Sequence, residues 1–196
     1  MKLTEGNGKP FEKHPAGTPV ATLIRIIDMG TQEINWQGAA KLSHKIRFVW
    51  ESSELMADGR PFLVQREFTA SLNSKGNLRP FLEGWRGRSF TDEELAGFDP
   101  KVLIGMPCLL SLVEDGEYTN VNAAMRLPKG MEAPKIVNET FLFSLAEFDI
   151  NVFNKLSDKM KEKIMKSPEY QSINVEGHVL DKEQAAEFAQ EQDVAF

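Results

Sequence analysis

The residues able to do chemistry concentrate between Lys45 and Arg88, and what they suit is holding polyanions and flat rings rather than making bonds. Lys45-Ile46-Arg47-Phe48-Val49-Trp50 alternates cations with apolar and aromatic side chains, and Asn73 to Arg88 adds Lys75, Arg79, Arg86 and Arg88 against Glu83 alone. Cations neutralise phosphates, and aromatic faces stack on unpaired bases. Signatures of catalysis are missing. No glycine loop ending in a lysine is present to cradle a phosphate, and His14, His44 and His178 lack metal-ligand spacing with Cys108. No Ser/His/Asp set is identifiable. The acidic run Asp92-Glu93-Glu94 suits the first turn of a helix capped by Thr91 better than it suits a metal. These features predict a binding protein and not an enzyme, with no metal and no cofactor.

Each candidate contact carries a structural alternative. Arg25 interrupts the apolar run Val20 to Ile27 and is either a solvent-face arginine or a phosphate contact. Trp36, between Asn35 and Gln37-Gly38, either stacks on a base or packs as a lid over a barrel end. Lys45 and Arg47 share one strand face, expected to point outward to phosphate, while Ile46, Phe48 and Trp50 share the core face, which makes Trp50 the weaker stacking candidate. Arg66 breaks an apolar face and lies either at a barrel mouth or beside a carboxylate. Lys75, Arg79, Arg86 and Arg88 are either a solvated helix face or the border of a phosphate-binding groove.

Positioning these residues requires strands. Thr18 to Thr31 is rich in β-branched residues, Leu42 to Glu51 alternates, and Phe62 to Leu72 alternates again after an Asp58-Gly59 turn, whereas Gly30 to Ala40 and Ser52 to Arg60 read as loops. Leu78, Phe81, Leu82 and Trp85 then fall on one stripe of a helix. Ser89 to Lys101 contains a second short helix. Val102 to Val113 and Tyr118 to Arg126 are the last two strands, joined by the turn Glu114-Asp115-Gly116-Glu117. Three strands, a helix and two strands predict a mainly β, α+β protein: an OB-fold-like five-stranded barrel, of a kind that commonly takes single-stranded nucleic acid.

After the Pro/Gly linker Pro128 to Pro134, Phe141 to Phe148 is too apolar to be free and is expected to pack on the barrel or on another subunit. Asn151 to Lys166 reads as one basic amphipathic helix, with Val152, Phe153, Leu156, Met160 and Ile164 on a single face; it either packs on the domain or docks a partner. Ser167-Pro168 stops it. The expected division is an N-terminal arm (1–17), the OB-like core (18–130), a packed extension with its helix (131–170) and an acidic mobile tail (171–196).

Of 196 residues, 41% are hydrophobic and 27% charged, the balance of a soluble globular protein, with no apolar run long enough to span a bilayer and no signal peptide at Met1 to Gly8. A cytoplasmic protein that does not engage membranes is expected. Cys108 is the single cysteine, so no intrachain disulfide forms, and it reads as a buried apolar residue. The net charge of −6 is unevenly spread. Residues 1–135 carry 17 basic and 17 acidic side chains, and residues 136–196 carry 6 and 12. A neutral core can still present a local basic face.

The chain ends Glu191-Gln192-Asp193-Val194-Ala195-Phe196. A terminal phenylalanine joins an apolar ring to the α-carboxylate, a combination suited to an apolar pocket with a basic rim on a partner. The strand order over residues 18–127 and this acidic tail resemble the single-stranded DNA-binding proteins encoded by bacteriophages. Asp28-Met29-Gly30-Thr31-Gln32, Phe90-Thr91-Asp92-Glu93-Glu94-Leu95 and Ser167-Pro168-Glu169-Tyr170 also look like stretches of phage replication-region proteins. The tail departs from the bacterial pattern in Val194-Ala195, where a bulkier pair is usual, and in having fewer acidic residues. The resemblance implies coating of single-stranded DNA in replication, recombination or repair inside an infected bacterium. It also implies that Glu191, Asp193, Val194, Ala195 and Phe196 recruit host or phage replication and recombination proteins, and it is compatible with a homo-oligomer. Two other functions fit an acidic chain without catalytic motifs: inhibition of a host nuclease or defence complex by an acidic DNA mimic, and mediation of replication or recombination through a protein ligand.

Overall fold

A computed structural model describes residues 12–36 and 38–173, with Trp36 placed by its backbone. The strands are β1 (Val20–Trp36), β2 (Ala39–Leu55), β3 (Pro61–Thr69), β4 (Pro107–Asp115), β5 (Tyr118–Met125) and β6 (Phe141–Phe143). The helices are α1 (Leu78–Arg86), α2 (Asp92–Ala96), α3 (Ile150–Asn154), α4 (Asp158–Met165) and α5 (Pro168–Ser172). The protein is thus α+β and mainly antiparallel. Its sheet runs β3-β2-β1-β4-β5, and β6 joins in parallel beside Arg25, Ile26 and Ile27 of β1, beyond the short stretch where β4 pairs with it.

The inner face of the curled sheet holds Ala21, Leu23, Ile26, Phe48, Trp50, Val64, Phe68, Cys108, Leu110, Leu112, Val121 and Ala124. Helix α1 plugs it with Leu78, Phe81, Leu82 and Trp85, the stripe expected from their spacing. Trp50 meets Phe81 and Trp85 at ring-centroid distances of 5.7 and 6.1 Å, and Trp85 Nε1 donates to the Pro107 carbonyl at 3.0 Å. Gly87, at φ 68°, ends α1 in the left-handed conformation, with its N–H on the Glu83 carbonyl.

Among the described residues no backbone ladder joins β3 to β5, and Arg66 spans that seam instead. Its Nη1 donates to the carbonyls of Val121 (3.0 Å) and Asn122 (2.5 Å), and its guanidinium lies over the rings of Phe68 and Phe81. Burial pushes the Arg66 pKa down, the cost of placing a cation in an apolar wall. Arg66, expected at a barrel mouth or beside a carboxylate, lies at the β3–β5 seam among carbonyls and rings. The carbonyls leave it without a carboxylate.

The outer face of β1 is buried too. Ile24, Ile27, Met29 and Val49 pack beneath Phe143, Leu145, Phe153, Leu156 and Ile164, so the segment from Phe141 onward folds back on its own sheet. Burial on both sides explains why Val20 to Ile27 is almost continuously apolar instead of alternating. Two stretches singled out in the sequence, Asp28 to Gln32 and Ser167 to Tyr170, meet in this layer. Gly30, at φ +67°, lets Ser167 approach so closely that a Cβ on Gly30 would sit 2.4 Å from the Ser167 side chain. The Glu169 carboxylate receives the Thr31 N–H at 2.8 Å and the Thr31 hydroxyl at 2.5 Å. Gln32 Nε2 reaches the carbonyls of Met29 and Lys163. Behind β2, buried Glu51 accepts the N–H groups of Val137 and Asn138 and the Asn138 side-chain amide, fixing the path into β6.

Several expected boundaries are corrected. Gly30 to Ala40 is not a loop: β1 and β2 stay paired out to Trp36 and Ala39, because polar side chains leave the backbone free to complete a ladder, and Asn35 Oδ1 accepts the Gly38 N–H at the turn. Strand β2 likewise runs on to Leu55, leaving a tight turn closed by Met56 N–H to the Arg60 carbonyl at 2.8 Å. Strand β3 ends at Thr69 and not at Leu72. Pro100–Leu103 is a 3₁₀ turn capped by Asp99, so β4 begins at Pro107 and not at Val102. The single amphipathic helix expected over Asn151 to Lys166 is two, α3 and α4, because Ser157 takes an extended conformation (φ −66°, ψ 151°) between them. Pro168 stops α4 and opens α5.

Two outcomes follow. Gly30→Ala is expected to destabilise the protein by about 2–4 kcal/mol, from the left-handed backbone and overpacking against Ser167, read as a lower denaturation midpoint. Arg66→Met is expected to speed amide hydrogen exchange in β3 and β5 with little change in α4, since the seam loses its charged hydrogen bonds, worth roughly 1.5–3 kcal/mol each.

Candidate nucleic-acid interface

Tertiary structure pairs half of the cations that the sequence puts forward, Arg47, Arg79, Arg86 and Arg88, with carboxylates. Arg79 pairs with Glu83 at 3.1 Å along α1. Arg86 and Arg88 both pair with Glu94, a residue of α2 that also completes a capping box with Thr91. Arg86 further lies over the Phe90 ring at 4.2 Å, so it braces α1 against the α2 segment. The Arg88 guanidinium, the Thr91 N–H and Arg86 hold the Glu94 carboxyl down to about 2. The expected groove along α1 is therefore a set of closed ion pairs, and for Arg86 and Arg88 the counter-charge comes from outside the window that made the cluster look basic. Lys75 is exposed in the loop before α1 and apart from the others.

The face carrying Lys45 and Arg47 does not point to open solvent as expected, because α4 covers it. Arg47 Nη2 meets Glu67 at 2.9 Å, and Lys163 of α4 meets the same carboxylate at 2.8 Å. Desolvation pushes the Glu67 pKa up, but these two cations bring it below the ordinary value. Lys45 Nζ donates to Thr69 Oγ1 at 3.1 Å. Trp50 is 0% exposed and belongs to the core, which corrects its candidacy as a stacking residue. Trp36 lies at the far end of the β1–β2 hairpin, in register with Ala39. The tail residues Glu191, Asp193, Val194, Ala195 and Phe196 lie outside the described residues.

Arg25 is the candidate cation that the sheet sets into a cleft. A β-bulge between Leu23 and Arg25 shifts the register, so that Leu23 and Ile26 both face inward while Arg25 comes opposite Val49 on the outer face. The pairing then sets Phe141 (β6), Arg25 (β1), Val49 (β2) and Gln65 (β3) in one row across four strands. This row floors a cleft of about 390 Å³, rimmed by Leu63 and walled by Lys155, Ser157 and Met160 where α3 passes into α4. The Arg25 guanidinium lies 5.0 Å from the Phe141 ring centroid, with its Nε on the Glu139 carbonyl at 3.3 Å. Lys155 Nζ is 2.5 Å from Glu139 Oε1 at the rim. A cation packed on a ring, an exposed amide and a lysine at the mouth can hold an anionic ligand that carries a flat group.

A second cleft, of about 650 Å³, lies at the β3–β5 seam and shares Leu63 and Gln65 with the first. Its cations are balanced locally: Lys13 pairs with Glu114 at 3.2 Å and Arg60 with Asp58 at 2.8 Å. It offers phosphate little.

Gln65, Phe141 and Lys155 escaped the sequence reading as site residues, which put Phe141 in a packed segment and Lys155 on the polar side of a basic helix. The one available signal was Arg25 itself, a lone charge inside an apolar strand. No protein family, no curated protein and no solved structure matches the chain.

The wall of the cleft is held in place by the Glu169 contact at the far end of α4. Desolvation pushes that carboxyl up, yet the Thr31 hydroxyl and N–H, with His44 Nδ1 at 3.3 Å, hold it at about 2. A carboxylate whose folded value lies below its unfolded one, near 4.5, contributes stability that is complete above 4.5 and is lost as pH falls toward 2. Denaturation midpoints between pH 5 and pH 2 are therefore expected to fall less steeply for Glu169→Gln than for the unaltered protein.

Proposed function

We propose that this chain binds single-stranded nucleic acid non-catalytically, on the outer face of β1, β2 and β3. The observation that carries the reading is the five-strand order with a helix between β3 and β4, together with a cationic, ring-bearing cleft on the sheet face that OB barrels use for oligonucleotides. The resemblance stated from the sequence supports the coating of phage single-stranded DNA as the setting, with the acidic tail recruiting replication and recombination proteins.

Fluorescence anisotropy with a labelled oligothymidylate and a duplex of equal length, over a salt titration, tests this. Binding to the single strand, weak duplex binding and affinity that falls with salt are expected. Arg25→Glu should weaken binding about tenfold or more, since it puts a negative charge into the cleft that receives a polyanion. Arg79→Ala and Arg88→Ala, whose cations are committed to Glu83 and Glu94, should leave affinity within about twofold. Absence of single-strand affinity at low salt would sink the reading and leave the acidic mimic or the protein-binding mediator in its place.

A further inference from the structure

The residues lining the cleft bear on which part of a polynucleotide enters it. Its volume lies within the range of about 300–1,000 Å³ of sites that enclose small ligands. The Arg25 guanidinium is already aligned by the Phe141 ring beside it and the Glu139 carbonyl at its Nε, so a ligand need not order it. Leu63, 42% exposed, and Met160 make the opposite side apolar. Gln65 adds direction: Arg47 Nη1 donates to its Oε1 at 3.4 Å, leaving the amide NH₂ as the group that can donate to a ligand.

Resting on the polynucleotide reading, the geometry points to a nucleobase subsite. An unpaired base enters between the Arg25–Phe141 pair and the Leu63–Met160 side, its face on the guanidinium and its acceptor edge toward the Gln65 amide. Lys155 at the mouth takes a flanking phosphate, exchanging it for Glu139. Arg47 acts as a positioning residue through Gln65. A paired base has both neighbouring faces stacked and its edge engaged, so the subsite itself selects single strands. This assigns the α3–α4 junction to ligand binding, so the C-terminal extension forms part of the site.

The test compares a labelled oligothymidylate of about 12 nucleotides with an abasic oligomer of the same length and backbone charge, by anisotropy at low salt. The unaltered protein is expected to bind the base-bearing strand about tenfold or more tightly. Gln65→Ala, at an exposed position, should lose several-fold affinity for the base-bearing strand and none for the abasic one. Glu139→Gln should tighten both by freeing Lys155, and Lys155→Ala should weaken both, a pair of opposite signs that loss of folding would not produce. Equal binding of the two oligomers by the unaltered protein would overturn the subsite and leave the polynucleotide reading standing. Failure to bind either would overturn both.

Discussion

Burial of β1 on both of its faces is the constraint from which the other contacts follow. On the inner side Leu23 and Ile26 meet the aromatic plug of α1, and on the outer side Ile24, Ile27 and Met29 meet Phe143, Phe153 and Ile164. Each fully buried side chain of this kind contributes about 1.5–3 kcal/mol, so the outer layer holds the extension mainly by apolar area. The polar contacts at its edge select a register. With Ser167 seated over Gly30, Glu169 comes over Thr31 and accepts its N–H. Partly exposed ion pairs add little energy, but they penalise a shifted alignment.

That layer decides where a ligand can reach the sheet. The extension covers β1 and the adjoining part of β2 and meets β3 through Lys163 at Glu67, while Leu63 and Gln65 remain open beside the α3–α4 junction. The break at Ser157 matters here. A continuous helix would carry Lys155 and Met160 along one cylinder, whereas the extended residue between them turns the chain so that both line the cleft. The bulge in β1 does the complementary work from below, exchanging strict alternation for one outward arginine.

Charge density along the chain proved a poor guide to electrostatic potential in space. Four cations between Lys75 and Arg88 look like a phosphate groove until Glu94, which the sequence assigns to a helix cap, folds back on Arg86 and Arg88. One carboxylate thus caps α2 and clamps the end of α1. Lys163 and Arg47 similarly converge on Glu67, tying α4 to β2 and β3. What remains without a carboxylate partner among the described residues includes Arg25, held by a ring and a carbonyl.

Local pattern was enough to determine the α+β class, the three strands, helix and two strands of the core, the α1 stripe of Leu78, Phe81, Leu82 and Trp85, and the Thr91 cap. Each of these depends on residues within a turn or a strand of one another, so periodicity and capping chemistry expose them. Tertiary structure alone decided the double burial of β1, the length of the β1–β2 hairpin, the pairing of Arg86 and Arg88 with Glu94, and the placing of Phe141, Arg25, Gln65 and Lys155 around one cleft. Those depend on a single-residue bulge and on partners as far apart as Arg25 and Lys155. A bulge leaves no periodic trace, and a long-range partner has no local one.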